Sequence, residues 1–163
     1  MTADIINGMN EEEISDQSVG EGKWHSVGIT IRAERLTAEE ISSRLRAIPT
    51  SVARRGERIS PNNPQSTLRE VEIWSLRFRN PELRSFEHDF QRLLEFVSAR
   101  ESQFRDIASD CEVSVRCAFA SENGQSGFVI DSKHLNTLAR SGLDLWVDLF
   151  PPMAGLSDKV CEV

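Results

Sequence analysis

The sequence contains no tyrosine, only three cysteines and no long apolar run, and the last two shortages each exclude a class of protein. Three cysteines at scattered positions do not make the disulfide framework of a small secreted protein, so we expect a reducing cytoplasm. Because apolar runs reach only a few residues, the sequence predicts no transmembrane helix and no membrane partner. The acidic N-terminus also lacks the apolar core of a signal peptide. The 163 residues, 39% of them apolar, are typical of a single domain with a real core.

The net charge of −7 is concentrated at the N-terminus. Residues 1–23 hold six acids against one lysine and show no periodicity, which predicts a disordered acidic arm. We expect one α+β domain over residues 24–152, followed by a short tail over 153–163. This domain is close to neutral, which argues against a nucleic-acid partner.

Apolar patterning predicts a series of strands. They cover residues 27–33, 70–78, 113–119 and 143–150, with a further short strand between 50 and 59. Asn123-Gly124 is the residue pair favoured in a type I′ turn, so we expect a hairpin that returns through 128–130.

Helix signals fall between these strands. Thr37-Ala38-Glu39-Glu40 has the form of a capping box and predicts a helix over 38–47. An apolar stripe from Phe86 to Val97 predicts a second helix, which either continues or restarts through Phe104, Ile107 and Ala108. Asp131 or Ser132 caps a third, which ends at Gly142. Helices interleaved with hairpin-linked strands predict an α+β fold, a single antiparallel or mixed sheet covered by two to three helices in a ferredoxin-like arrangement.

Several short segments have a familiar order and spacing. They are Leu36–Ile41, Ile48–Thr50, Arg55–Glu57, Trp74–Leu76, Ser85–His88, Gly142–Leu145 and Asp148–Phe150. Together they resemble a family of small bacterial proteins, the domain of unknown function numbered 4279, over about residues 25–151. The resemblance implies a fold and supplies no activity, cofactor or catalytic residue. Members usually end the last strand with Asp-x-Tyr, whereas Phe150 stands at the tyrosine position here.

The best candidate binding residues are arginines, which outnumber lysines by 16 to 3. Arg54, Arg55 and Arg58 flank Gly56, and three guanidiniums beside a glycine can bind a phosphate or carboxylate in a bidentate way. The alternative is a solvated loop or a salt-bridged strand edge. Trp74 is a candidate for stacking a base or sugar beside this loop, although a tryptophan in a central strand is more often a core residue.

His88 and Asp148 complete the candidate binding residues. His88 lies on the long helix beside Asp89, where it suits a general base or an anion ligand, or a histidine that simply flanks the apolar stripe. Asp148 lies on the last strand, as part of an acidic edge or as a solvated residue. Cys111 and Cys117 are about 20 Å apart in an extended strand, too far to share an ion. We therefore predict no metal, no cofactor and no catalytic constellation.

Three functions follow from these observations, in decreasing order of support. The first is a non-enzymatic protein-interaction module, such as an inhibitor or an immunity-type partner of another protein. The second is a binder of a small ligand, nucleotide or nucleic acid that uses the loop from Arg54 to Arg58. The third is an enzyme with His88 as its base.

Overall fold

Five strands form one open, mixed sheet. The structure is a computed structural model, and it describes residues 23–79, 85–121 and 128–150. The strands are β1 (Lys23–Ala33), β2 (Ser51–Ala53), β3 (Glu72–Phe78), β4 (Glu112–Ser121) and β5 (Asp144–Phe150). Their order across the sheet is β2-β3-β1-β4-β5, and every neighbouring pair is antiparallel except β4 and β5, which are parallel. Of the predicted acidic arm over residues 1–23, only Lys23 is described, as the first residue of β1, and the predicted tail over 153–163 lies outside the described residues.

Four helices lie between the strands of the described residues, and three of them begin after a residue whose side chain caps them: Thr37, Ser85 and Asp131. They are α1 (Ala38–Leu45), α2 (Phe86–Ser98), α3 (Glu101–Ala108) and α4 (Ser132–Ser141). The capping box is confirmed, since the Thr37 side chain accepts from the Glu40 N–H and the Glu40 carboxylate accepts from the Thr37 N–H. Asp131 caps α4, and Gly142 ends it at φ 73°, a left-handed conformation that favours glycine. Among these four helices, none combines the length and the apolar character needed to cross a membrane.

The helices cover one face of the sheet and enclose the core. Side chains alternate between the two faces of a strand, so Val27, Ile29 and Ile31 of β1 point to the helices and are buried. The helices contribute a continuous set of buried side chains: Ile41, Leu45, Phe90, Leu93, Val97, Phe104, Ile107 and Leu138. The opposite, open face of the sheet carries the polar members of the same strands, and the segment between β2 and β3 folds over it.

The α+β class and the single sheet are confirmed, while the finer arrangement differs from the prediction. Four helices are present in the described residues, because the stripe on the long helix breaks at Ala99 and Arg100 into α2 and α3. One part of the ferredoxin-like prediction is present: β3 and β4 are parallel to each other, and β1 lies between them. The other half differs, since α4 connects β4 to the parallel strand β5.

The predicted hairpin strand over residues 128–130 is wrong. These three residues form no strand, and the turn residues Asn123 and Gly124 lie outside the described part of the chain. The Phe128 ring instead stacks on Phe119 with the ring centroids 4.5 Å apart and packs against Phe86 at 4.6 Å. The edge of β4 that a returning strand would need is taken by β5. Residues 128–130 therefore contribute a packed aromatic ring in place of the predicted strand.

Candidate functional site

The predicted arginine segment lies at the start of the connection between β2 and β3, and Arg54 is held by two acids. Its guanidinium lies 2.6 Å from a Glu39 carboxylate oxygen and 3.6 Å from one of Glu72. The hydrogen bond from Arg54 lowers the pKa of Glu39, and the same bond raises the pKa of Arg54. Arg54 thus links helix α1 to the start of this connection.

Glu72 is the anchor of this region, a role that no pattern in the sequence indicated. Its carboxylate is buried, with one oxygen accepting from the Ala38 N–H at 3.1 Å and the other from the Arg55 N–H at 2.9 Å. A buried carboxylate is tolerated only when it is paired and hydrogen-bonded in this way. Glu72 therefore fastens the first turn of α1 and the segment after β2 to the same strand.

The other two predicted arginines also bind to the chain itself. The Arg55 guanidinium donates to the Glu34 carbonyl, and the Arg58 guanidinium donates to the carbonyls of Pro64 and Ser66. Arg54 alone of the three makes printed ion pairs, with Glu39 and Glu72, while Arg55 and Arg58 donate to backbone carbonyls. A ligand at this point would have to compete with them, so the role of Arg54, Arg55 and Arg58 in binding stays a prediction with reduced support.

Trp74 is a core residue, which corrects its assignment as a candidate binding residue. Its side chain is 0% exposed, and its indole N–H donates to the Ser42 hydroxyl at 2.9 Å. It lies on the helix-covered face of β3, where no ligand reaches it. The position in a central strand predicted this outcome, because such tryptophans are usually buried.

His88 is part of a cluster that the sequence did not reveal. Its Nδ1 lies 3.8 Å from an oxygen of Asp89, and the other oxygen of Asp89 accepts from His25 Nε2 at 3.2 Å. Asp89 is only 2% exposed. His25 belongs to β1 and Asp89 to α2, so this contact ties the sheet to the long helix.

The third histidine lies near the same end of α2. His134 makes an edge contact with Phe90 at a centroid distance of 5.9 Å, and His25 makes one with Phe86 at 6.1 Å. Within residues 23–79, 85–121 and 128–150, no group of three histidine, cysteine, aspartate or glutamate side chains is arranged to hold a metal ion. A general-base role for His88 stays a prediction.

Cys117 is a buried core residue of β4, and burial raises the pKa of its thiol from 9.0 to about 12. Because the pKa of this thiol is raised in the folded state, the contribution of Cys117 to the free energy of unfolding is fully present below pH 9. It is lost as the pH rises toward 12. We therefore expect the free energy of unfolding to fall by about 1.4 kcal/mol per pH unit in this range from Cys117 alone.

The comparison is urea unfolding of the wild type and of Cys117→Ala between pH 8 and 11. The absence of tyrosine removes the phenol titration that usually complicates this range. The wild type should lose stability more steeply than the variant. Equal slopes of the free energy of unfolding against pH in the two proteins would show that burial does not raise the pKa of this thiol.

A groove lies on the open face of the sheet. Its floor consists mainly of outward-facing residues of the five described strands, and its wall consists of Ile59 and residues 67–71 of the connection between β2 and β3. Its volume is about 650 Å³. We call it the open-face groove. Arg54, Arg55 and Arg58 are not among its lining residues, whereas Asp148 is.

Strand β5 is the outer strand on one side of the sheet. It pairs with β4 along one edge, and no described residue pairs with its other edge. Apolar side chains on this strand remain accessible: Trp146 is 45% exposed, Val147 43% and Leu149 73%. Asp144 and Asp148 lie on the same strand, four positions apart on its open face. The predicted acidic edge and the exposed apolar side chains therefore lie on the same strand, β5.

Residues 23–151 match the family model described as "Domain of unknown function (DUF4279)", a range that contains all five strands. The chain belongs to this family. The resemblance noted from its sequence segments is thereby confirmed, and the DUF4279 domain starts with β1. Neither the comparison with curated proteins nor the comparison with solved structures gives a match. The family description states no activity, so a function for this DUF4279 domain has to be argued from its own surface.

Proposed function

We propose that this domain is a non-enzymatic protein-interaction module and that β5 is the strand that contacts the partner. The observation that carries the proposal is the exposed apolar edge of β5. Five of its seven residues are apolar in the sequence Asp-Leu-Trp-Val-Asp-Leu-Phe. A contact between strands needs no catalytic residue. This fits the prediction from the sequence of no catalytic constellation.

An edge strand offers unpaired backbone N–H and C=O groups to another chain. Proteins usually protect long apolar edges with lysine, proline or a bulge, because such edges recruit other strands. Strand β5 has neither lysine nor proline among its seven residues. A partner can therefore add an extended segment to β5, with main-chain hydrogen bonds giving affinity and side chains giving specificity.

The acids on β5 indicate the chemistry of this partner. Asp144 and Asp148 have no ion-pair partner among the described residues, and both point to the open face. Opposite charges across neighbouring strands stabilise a sheet, and like charges destabilise it. The favoured partner is therefore a different protein with an extended segment that alternates basic and apolar residues. A second copy of this chain would bring further acids to the seam. An inhibitor or an immunity-type protein that blocks another protein's exposed segment fits this description.

The test is quantitative co-purification from cells in which the protein is naturally made. We compare the wild type with Leu149→Lys and Val147→Lys on β5, and with Ile48→Lys as the control. Ile48 is 88% exposed and lies between α1 and β2, away from this edge. A partner should be recovered in stoichiometric amounts with the wild type and the control.

Each β5 variant should recover at least about tenfold less of that partner, since loss of an interface anchor exceeds about 1.4 kcal/mol. All proteins are first checked for equal thermal unfolding, so that a loss reports the surface. Equal recovery with every variant would contradict the proposal. So would the absence of any stoichiometric partner.

A further inference from the structure

The open-face groove has a charge opposite to that of the chain's N-terminal segment. Four arginines and two acids line it: Arg32, Arg69, Arg77, Arg116, Glu70 and Asp148. Arg32 is also paired with Glu112 at 3.4 Å, and the other three arginines still outnumber the two lining acids. Residues 1–22 hold six acids and neither lysine nor arginine. The groove therefore attracts this segment electrostatically.

Two of the lining arginines have no carboxylate paired with them among the described residues. The Arg69 guanidinium donates to the Ile59 carbonyl at 3.4 Å. The Arg116 guanidinium carbon lies 5.0 Å from the centre of the Trp146 ring, a cation–π contact that orients the planar group. The Nε of Arg116 has no hydrogen-bond partner among the described residues. A carboxylate that comes close to Arg69 or Arg116 therefore adds an attraction that the described part of the chain does not supply.

The N-terminal segment is attached close to the groove. It joins β1 at Lys23, and the outward-facing residues of β1 run along the groove floor from Ser26 to Arg32. In an extended strand these two residues lie about 10 Å and about 30 Å from Lys23. Such a tether gives the segment an effective concentration in the millimolar range at the groove. Weak attraction is therefore sufficient for docking.

The sequence of the segment allows it to turn back along β1. Gly20 and Gly22 precede Lys23, and glycine adopts either sign of φ without steric cost. Asp16 and Glu11 lie four and nine positions before Gly20, which corresponds to about 13 Å and about 30 Å of extended chain. The first distance reaches the middle of the groove floor, and the second reaches its end at Arg32.

We propose that residues 1–22 dock in the open-face groove of their own chain. The acids at 11–13 lie near Arg69, Asp16 lies near Arg116, and Ile14 covers Leu68, an exposed leucine of the groove wall. The docked segment closes the groove to other anions. It leaves the outer edge of β5 accessible, so this proposal is independent of the protein partner proposed above.

Cleavage of the full chain by a glutamate-specific protease tests the proposal, because a docked segment is cut more slowly than a free one. The reference is the free peptide of residues 1–22 under the same conditions. Cleavage after the glutamates at 11–13 should be at least about fivefold slower in the full chain, because the tether keeps most of the segment docked. About 1 M NaCl should bring the two rates within about twofold, since it shortens the Debye length to about 3 Å.

A double variant with a matched control locates the docked segment. Arg69→Gln with Arg116→Gln removes two charges from the groove, and its cleavage rate should lie within about twofold of the peptide's. Arg105→Gln with Arg140→Gln removes two exposed arginines from α3 and α4 on the helix-covered side, and it should keep the wild-type protection. Thermal unfolding confirms that each protein is folded.

The indole N–H resonances of the full chain give a second measurement of the location. Asp16→Asn should shift the resonance of Trp146, which contacts Arg116, and leave that of the buried Trp74 unchanged. The proposal is overturned if the full chain and the peptide are cut at equal rates, if the groove double variant stays protected, or if the Trp146 resonance does not move. Protection that increases with protein concentration would assign the groove to the segment of a second copy, which also overturns docking within one chain.

Discussion

Replacing Asp89 by alanine is expected to lower the free energy of unfolding by about 3–4 kcal/mol. Asp89 is 2% exposed, accepts from His25 at 3.2 Å and lies in the first turns of α2, where a carboxylate is favoured by the helix dipole. Its removal takes away the acceptor that joins β1 to α2. Urea unfolding followed by tryptophan fluorescence measures the change.

A matched control separates this loss from a general effect of removing an aspartate. Asp106 also lies on a helix and pairs with an arginine, Arg44, at 3.2 Å, but its side chain is 69% exposed. Asp106→Ala should cost less than about 1 kcal/mol. A double-mutant cycle with His25→Asn should give a coupling energy between about 0.5 and 3 kcal/mol. A loss below 1 kcal/mol for Asp89→Ala would refute the anchoring role.

Glu72→Ala is expected to cost about 3 kcal/mol, because it leaves two backbone N–H groups without their acceptor. These are the N–H groups of Ala38 and Arg55, and the substitution also removes one of the two acids that face Arg54. Glu72→Gln keeps the shape and one acceptor oxygen, so its loss should be about half as large.

The control for this substitution is Glu70→Ala, two residues earlier and exposed. It should change the free energy of unfolding by less than about 0.5 kcal/mol, measured by the same urea unfolding. If Glu72→Ala and Glu70→Ala unfolded at the same urea concentration, Glu72 would not be the anchor of the arginine segment. Arg54, Arg55 and Arg58 would then again be supported as ligand-binding candidates.

The local features of the fold could be predicted because their causes lie within a few residues. The capping box of Thr37 and Glu40 is complete within four residues, and the stop at Gly142 depends on one left-handed residue. The alternation of apolar and polar residues in β1 directly reflects its buried face and its open face. The prediction over residues 128–130 was wrong because a turn preference is local, whereas the packing of Phe128 on Phe119 is not.

The contacts that define the candidate sites could not be predicted because they depend on strand order and register. His25 and Asp89 are 64 positions apart, and Glu72 is 17 positions from Arg55. One signal was nevertheless present for the groove. Arg77 and Arg116 occupy the polar positions of otherwise apolar strands, which places both on the outward face. That both pair with Gly28, on opposite sides of β1, depends on strand order and register and could not be predicted.

The central claim is that β5 is a strand that accepts a partner. Hydrogen–deuterium exchange of the domain, alone and in complex with its co-purified partner, tests this most directly. The expected result is strong protection of backbone amides in residues 144–150 on binding, with little change in the helices, because an added strand hydrogen-bonds to the outer edge of β5. Protection of another surface, with exchange in 144–150 unchanged, would contradict the account.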